Sequence, residues 1–190
     1  MNNRDLVKKK QIIGATLILI MELGLENTSM SLVSERAGVG MSSIYRLFDD
    51  KEGLINALYL EIVNQVVEAI ETGLDMNAPI RSRFFKLWHN LARFYMEHPS
   101  EFLFLEQYTL SPSIDDATRR MGVEIWNSTR QLFIEAKEQE IIKDLRVQLL
   151  MHMAVAPVIA LVKGHVSGQF PLNEDEIDAV VTACWDAIKR

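Results

Sequence analysis

Residues 28–54 read TSMSLVSERAGVGMSSIYRLFDDKEGL, and the spacing of caps and apolar positions in this stretch decides the fold. Ser29 stands where a helix N-cap would, just before the short run Met30 to Ala37, and Gly38 closes that run after about two turns. A second short helix is predicted from about Met41 to Phe48. Two short helices joined by a tight glycine-containing turn make a helix-turn-helix, whose second helix enters the major groove of DNA. Val33 and Ala37 are expected to face Val39 and Ile44 across the turn, and the small Ser34 and Ala37 allow close approach. The second helix then exposes Met41, Ser42, Ser43, Tyr45 and Arg46. Serine hydroxyls and Tyr45 can donate to phosphate or base edges, Arg46 can pair with guanine or grip phosphate, and Met41 can touch a thymine methyl. Lys51, opening the next helix, is placed for a backbone phosphate.

Working outward, Ile13, Leu17, Ile20 and Leu23 recur at helical spacing before the motif, and Gly24 ends that helix. After the motif, Asp50 is the expected N-cap of a long helix from Lys51 to about Gly73, with Leu54, Leu58, Ile62, Val66 and Ala69 on one side. The next helix carries Phe84, Leu87, Trp88, Leu91 and Tyr95 and stops at His98 and Pro99, because proline cannot continue the hydrogen-bond ladder. Glu101 to Tyr108 is a short helix, and Ser111, Pro112 and Ser113 break the chain. One long helix is predicted from about Ile114 to Glu138, then two very apolar ones from about Leu145 to Gly168 and Glu174 to Lys189. Pro157 is expected to kink or loosen the first of that pair. No stretch sustains an apolar and polar alternation, so the fold class is all-α.

The net charge of −6 argues at first against nucleic acid, yet its distribution does not. Residues 1–48 hold Arg4, Lys8, Lys9, Lys10, Arg36 and Arg46 against Asp5, Glu22, Glu26 and Glu35. A mildly basic head on an acidic body lets one end approach DNA while the rest is repelled. The 48% hydrophobic content is ample for a packed core. A single cysteine, Cys184, permits no internal disulfide and fits a reducing cytoplasm. The apolar run from Ile12 to Leu25 is broken by Gly14, Thr16, Glu22 and Gly24, so neither a secretory signal nor a membrane span is expected there. His89, His98, His152 and His165 show no three- or four-residue pairing, so no metal is expected. The chain has no glycine-rich phosphate loop, nucleophile elbow or HExxH. No cofactor and no enzymatic activity are expected.

The body is rich in large side chains. Phe84, Trp88, Tyr95, Tyr108, Trp126 and Phe133 are the candidates to line a cavity for a small apolar or aromatic ligand, with ordinary core as the competing role for each. The last two helices are apolar on more than one face. Leu150, Ala154, Val155, Leu161 and Val162, with Ile177, Val181, Cys184 and Ile188, are therefore the expected homodimer surface, two chains giving four helices. A symmetric dimer would match a two-fold operator.

The quoted string closely resembles the TetR/AcrR family of repressors, over roughly residues 10–60. The resemblance implies that Ser29 to Ala37 is the second helix, that Met41 to Phe48 is the recognition helix, and that Tyr45 and Lys51 contact phosphate. Three departures stand out: Gly40 replaces the usual serine cap, Leu47 stands where an aromatic or histidine often touches the backbone, and Asp49 brings negative charge near DNA. Beyond residue 60 the likeness is one of layout. It implies a helix-turn-helix domain over 1–50 and a ligand-binding and dimerisation domain over 51–190. The expected function is a ligand-responsive regulator, released as a repressor from double-stranded operator DNA by a small molecule. The alternatives are the same fold working as an activator or under a protein partner, or a helical enzyme.

Overall fold

Caps and breakers place the helix ends. The computed structural model describes residues 3–190, which form α1 (Asn3–Leu23), α2 (Met30–Ala37), α3 (Met41–Leu47), α4 (Lys51–Glu71), α5 (Ile80–Glu97), α6 (Pro99–Tyr108), α7 (Asp116–Ile125), α8 (Asn127–Glu138), α9 (Val147–Val166) and α10 (Glu174–Ile188). Among these residues there is no sheet, only one bridge pair, Ile142 with Lys189. The Ser29 side chain accepts from the Leu32 N–H, and Gly38 ends α2 in the left-handed conformation at φ 63°. The Asp50 carboxylate accepts from the Gly53 N–H at 2.7 Å to open α4. Asn173 and Glu176 form a reciprocal capping box at the start of α10.

The residues group into two compact units. One comprises Met1–Val63 and Ser100–Gly122, the other Asn64–Pro99 and Val123–Arg190. In the first, α1, α2 and α3 pack on one another around Ile12, Ile20, Val33 and Ile44, all essentially inaccessible. Asn56 on α4 donates to the Ser113 carbonyl at 3.3 Å and accepts from the Asp115 N–H at 3.0 Å, tying the α6–α7 connection to α4. In the second unit α5 is the hub, packed against α8, α9 and α10. Phe84 and Trp88 meet edge to face at 5.5 Å, and Phe84 also contacts Phe133 at 6.2 Å and Trp185 at 5.1 Å. Such pairs add about 0.5–1.5 kcal/mol each beyond the area they bury.

The single helix expected over 114–138 is two helices. Asp115 caps α7 through the Thr118 N–H at 2.7 Å, and the ladder breaks at Trp126, where φ is −77° and ψ 10°. The Trp126 N–H turns back three residues to the Val123 carbonyl at 3.2 Å. Asn127 and Ser128 follow, residues whose side chains compete with the helical ladder. The apolar period runs on through this one-residue fault, which is why the sequence conceals it. By contrast α9 continues through Pro157, whose missing N–H removes one rung while its ring stays exposed.

Gly122 is required by its neighbour. A Cβ there would lie 2.8 Å from Cε1 and 2.9 Å from Oη of Tyr59, a ring 6% exposed and hydrogen-bonded to Thr109. Gly122→Val is therefore expected to lower stability by about 1–3 kcal/mol through overpacking. An unchanged urea midpoint would show that α7 does not press on Tyr59.

Candidate functional site

The recognition surface is built by burying one side of α3. Ile44 is fully buried, Met41 and Ser43 are half-buried, and Ser42, Tyr45 and Arg46 are exposed, Tyr45 by 51%. Ser34 Oγ donates to the Val39 carbonyl at 2.7 Å and locks the turn between α2 and α3. Several of the sequence candidates already have intramolecular partners. Arg46 grips Asp5 on α1 with two bonds, at 2.7 and 3.2 Å. Hydrogen bonding by that guanidinium holds the Asp5 carboxyl below the usual carboxylate range, and the Asp5 partner in turn raises Arg46. Lys8 donates to Ser43 Oγ at 3.2 Å, and Arg36 forms a two-point pair with Glu22. Lys51 donates to the carbonyl of Leu25 at 2.7 Å and reaches that of Glu26 at 3.4 Å, closing the α1–α2 turn onto the start of α4. Ser29 serves as the α2 cap and meets Ser31 at 2.8 Å. Asp5 and Lys8 were missed in the sequence because they lie about forty residues from the side chains they hold.

The second unit contains a chamber of about 380 Å³ lined by Trp88, Val123, Trp126, Arg130, Gln148, Met151, His152 and Val155. Trp126, at the break, lines the same space as Trp88. Of the six aromatic candidates, only these two line the chamber. Phe84 and Phe133 belong to the packed seam with Trp185, Tyr95 is 5% exposed beside Phe94, and Tyr108 lies in the first unit against Phe104. The missed wall has a legible spacing: 148, 151, 152 and 155 share one face of α9, as 123, 126 and 130 do across the break.

The chamber has one formal cation, Arg130, and no carboxylate in its lining. Among the described residues the Arg130 guanidinium makes no hydrogen bond or ion pair. His152 Nδ1 donates to the Gln148 carbonyl at 2.7 Å, and the Trp88 indole N–H is buried without an acceptor. Two tryptophan faces could hold a cation for about 2 kcal/mol when desolvated. The lining offers a cation no carboxylate, however, and Arg130 repels a like charge placed beside it.

The expected dimer residues need correcting. Leu150, Ala154, Val162, Ile177, Val181, Cys184 and Ile188 are all 2% exposed or less within one chain, where α9 and α10 cover α5. Burial also pushes the Cys184 thiol up to about 11. Val155 walls the chamber and Leu161 is half-buried. Only five of the 20 residues of α9 are buried. The apolar or small groups it leaves uncovered are Leu149, Ala156, Pro157 and Ala160, on a helix long and apolar enough to cross a membrane.

Residues 12–58 match the model described as bacterial regulatory proteins, tetR family. Residues 79–189, more than half of the chain, match the tetracyclin repressor-like C-terminal domain. The chain belongs to the TetR family. It is a DNA-binding transcriptional regulator of the helix-turn-helix type. An uncharacterized HTH-type transcriptional regulator of Haemophilus influenzae is 24% identical over 182 residues, 95% of each chain. A TetR-family regulator of Marinobacter aquaeolei VT8 shares the fold over 100% of this chain and 99% of its own, with a TM-score of 0.90 and 24% identity. The regulator FadR of Bacillus subtilis, solved in complex with stearoyl-CoA, does so over 93% and 95%, with a TM-score of 0.72 and 19% identity.

In this TetR-family head the bonds of Lys51 are structural before any DNA arrives. Lys51→Ala should lower stability by about 1 kcal/mol or more, whereas Tyr45→Ala, at an exposed position, should leave it within about 0.5 kcal/mol of the parent. Equal thermal midpoints for the two variants would sink the capping role of Lys51.

Proposed function

We propose that this regulator is a homodimeric repressor that leaves its operator when a compact apolar or aromatic ligand fills the chamber between Trp88 and Trp126. The observation that carries the reading is the chamber itself, in the unit that holds most of the C-terminal family match. Its 380 Å³ falls at the lower end of small-molecule sites, which span about 300–1,000 Å³. A long acyl-CoA such as the one bound by Bacillus subtilis FadR would overfill it, so the ligand is smaller. For release, the ligand must bind the DNA-incompetent arrangement more tightly, since equal affinity for both states moves neither population. Linkage then requires operator DNA to weaken ligand binding by the same factor, about 5- to 150-fold in typical cases. Identical ligand affinities with and without operator would refute the coupling.

On DNA, the α3 face of Met41, Ser42, Ser43, Tyr45 and Arg46, supported by Ser29 and Lys51, reads the major groove. Genomic fragments captured by the purified protein would give the operator. On that site Arg46→Ala and Tyr45→Ala should each cost about tenfold or more in affinity, and parental binding by both in a gel-shift assay would misplace the interface.

Homodimerisation is supported by the uncovered side of α9. Leu149, Ala156 and Ala160 recur at helical spacing on one stripe, and small residues there let a second copy approach closely. Ala160→Glu places a charge on a surface position of the single chain, so the fold should persist while the dimer dissociates. Sedimentation at micromolar concentration should give a dimer for the parent and a monomer for the variant, and a monomeric parent would overturn the assembly.

A further inference from the structure

We propose that the chamber selects a singly charged organic anion, a monocarboxylate with an apolar chain or ring, whose carboxylate pairs with Arg130. This inference rests on the reading of the chamber as the ligand site. Every wall except one edge is apolar or aromatic: Trp88, Trp126, Val123, Met151 and Val155. The exception is the edge formed by Arg130, Gln148 and His152, where Arg130 has no intramolecular counter-charge among the described residues. Arg36 and Arg46 on the head are held by carboxylates at 2.7 Å, and the buried Arg83 by Glu135 at 2.6 Å. Arg130 differs from these in standing beside an apolar cavity with its fork unspent. A guanidinium there offers paired donors in the plane that a carboxylate accepts. One cation matches one negative charge, and a polyanion would find no second. At about 30 Å³ per water-sized group, 380 Å³ accommodates on the order of a dozen non-hydrogen atoms, a medium alkyl chain or one substituted ring.

The charge preference is separable from the existence of the site by matched probes that differ only in the head group. Calorimetric titration of the full chain with decanoate, decanol and decylammonium, and with phenylbutyrate, phenylbutanol and phenylbutylammonium, is the experiment. Each carboxylate should bind about tenfold or more tightly than its alcohol, and each ammonium more weakly than the alcohol. In Arg130→Gln the carboxylate should fall to the affinity of the alcohol, and Arg130→Lys should restore part of the difference. Alcohols that bind as tightly as carboxylates, or an Arg130→Gln variant that keeps the carboxylate preference, would overturn the anion assignment while leaving the chamber as the ligand site. Failure of all six probes to bind would remove the chamber reading and this inference together.

Discussion

Phe84 touches rings from two other helices, Phe133 of α8 and Trp185 of α10, and presses edge-on against Trp88 one turn along α5. Around this cluster the second unit is organised. Trp88 can serve as a wall of the chamber because Phe84 and Phe133 fix its ring from behind, at 5.5 and 6.3 Å. A wall that could rotate would fill the cavity it is meant to bound. The chamber thus has dense packing behind the indole of Trp88 and the Trp126 break on its far side.

The head was legible because its signals are local. Ser29, Gly38 and Asp50 announce helix ends through bonds reaching only a few residues, and each makes the contact its chemistry favours. The body was legible as all-helical, but not in how its faces are assigned. The 3.6-residue period tells that a face is apolar without telling which neighbour covers it. Leu150, Ala154 and Val162 carry the same signal whether they meet α5 of their own chain or α9 of another. Val155, one position along from Ala154, was read as dimer surface, yet with Met151 it bounds open space. Long-range polar pairs were hidden for a related reason: nothing near Arg46 in sequence says that Asp5 will reach it across α1.

Polar commitments also divide the cations of the protein into two classes. Lys51 and Arg83 are tied into the scaffold, the first by backbone carbonyls and the second, itself buried, by the more exposed Glu135. Removing either disturbs architecture first. Arg130 has no such tie, and a side chain whose charge the fold does not require can be assigned to a task. The contrast separates residues that hold the molecule together from those that select what it meets.

The Arg46–Asp5 pair changes what DNA association releases. Affinity for a polyanion draws much of its strength from the small ions that the two partners shed on contact. The Arg46 guanidinium is bonded to a counter-charge carried on the same chain, and Asp5 cannot diffuse away. In the interface proposed above, a guanidinium that turned to the duplex would leave a carboxylate behind, close to the phosphates. Random sequence, offering phosphate alone, gains little from that exchange. A site presenting guanine in register would gain two directed bonds in return. In the proposed interface this internal anion would filter encounters, lowering indiscriminate adhesion more than attachment to the right address.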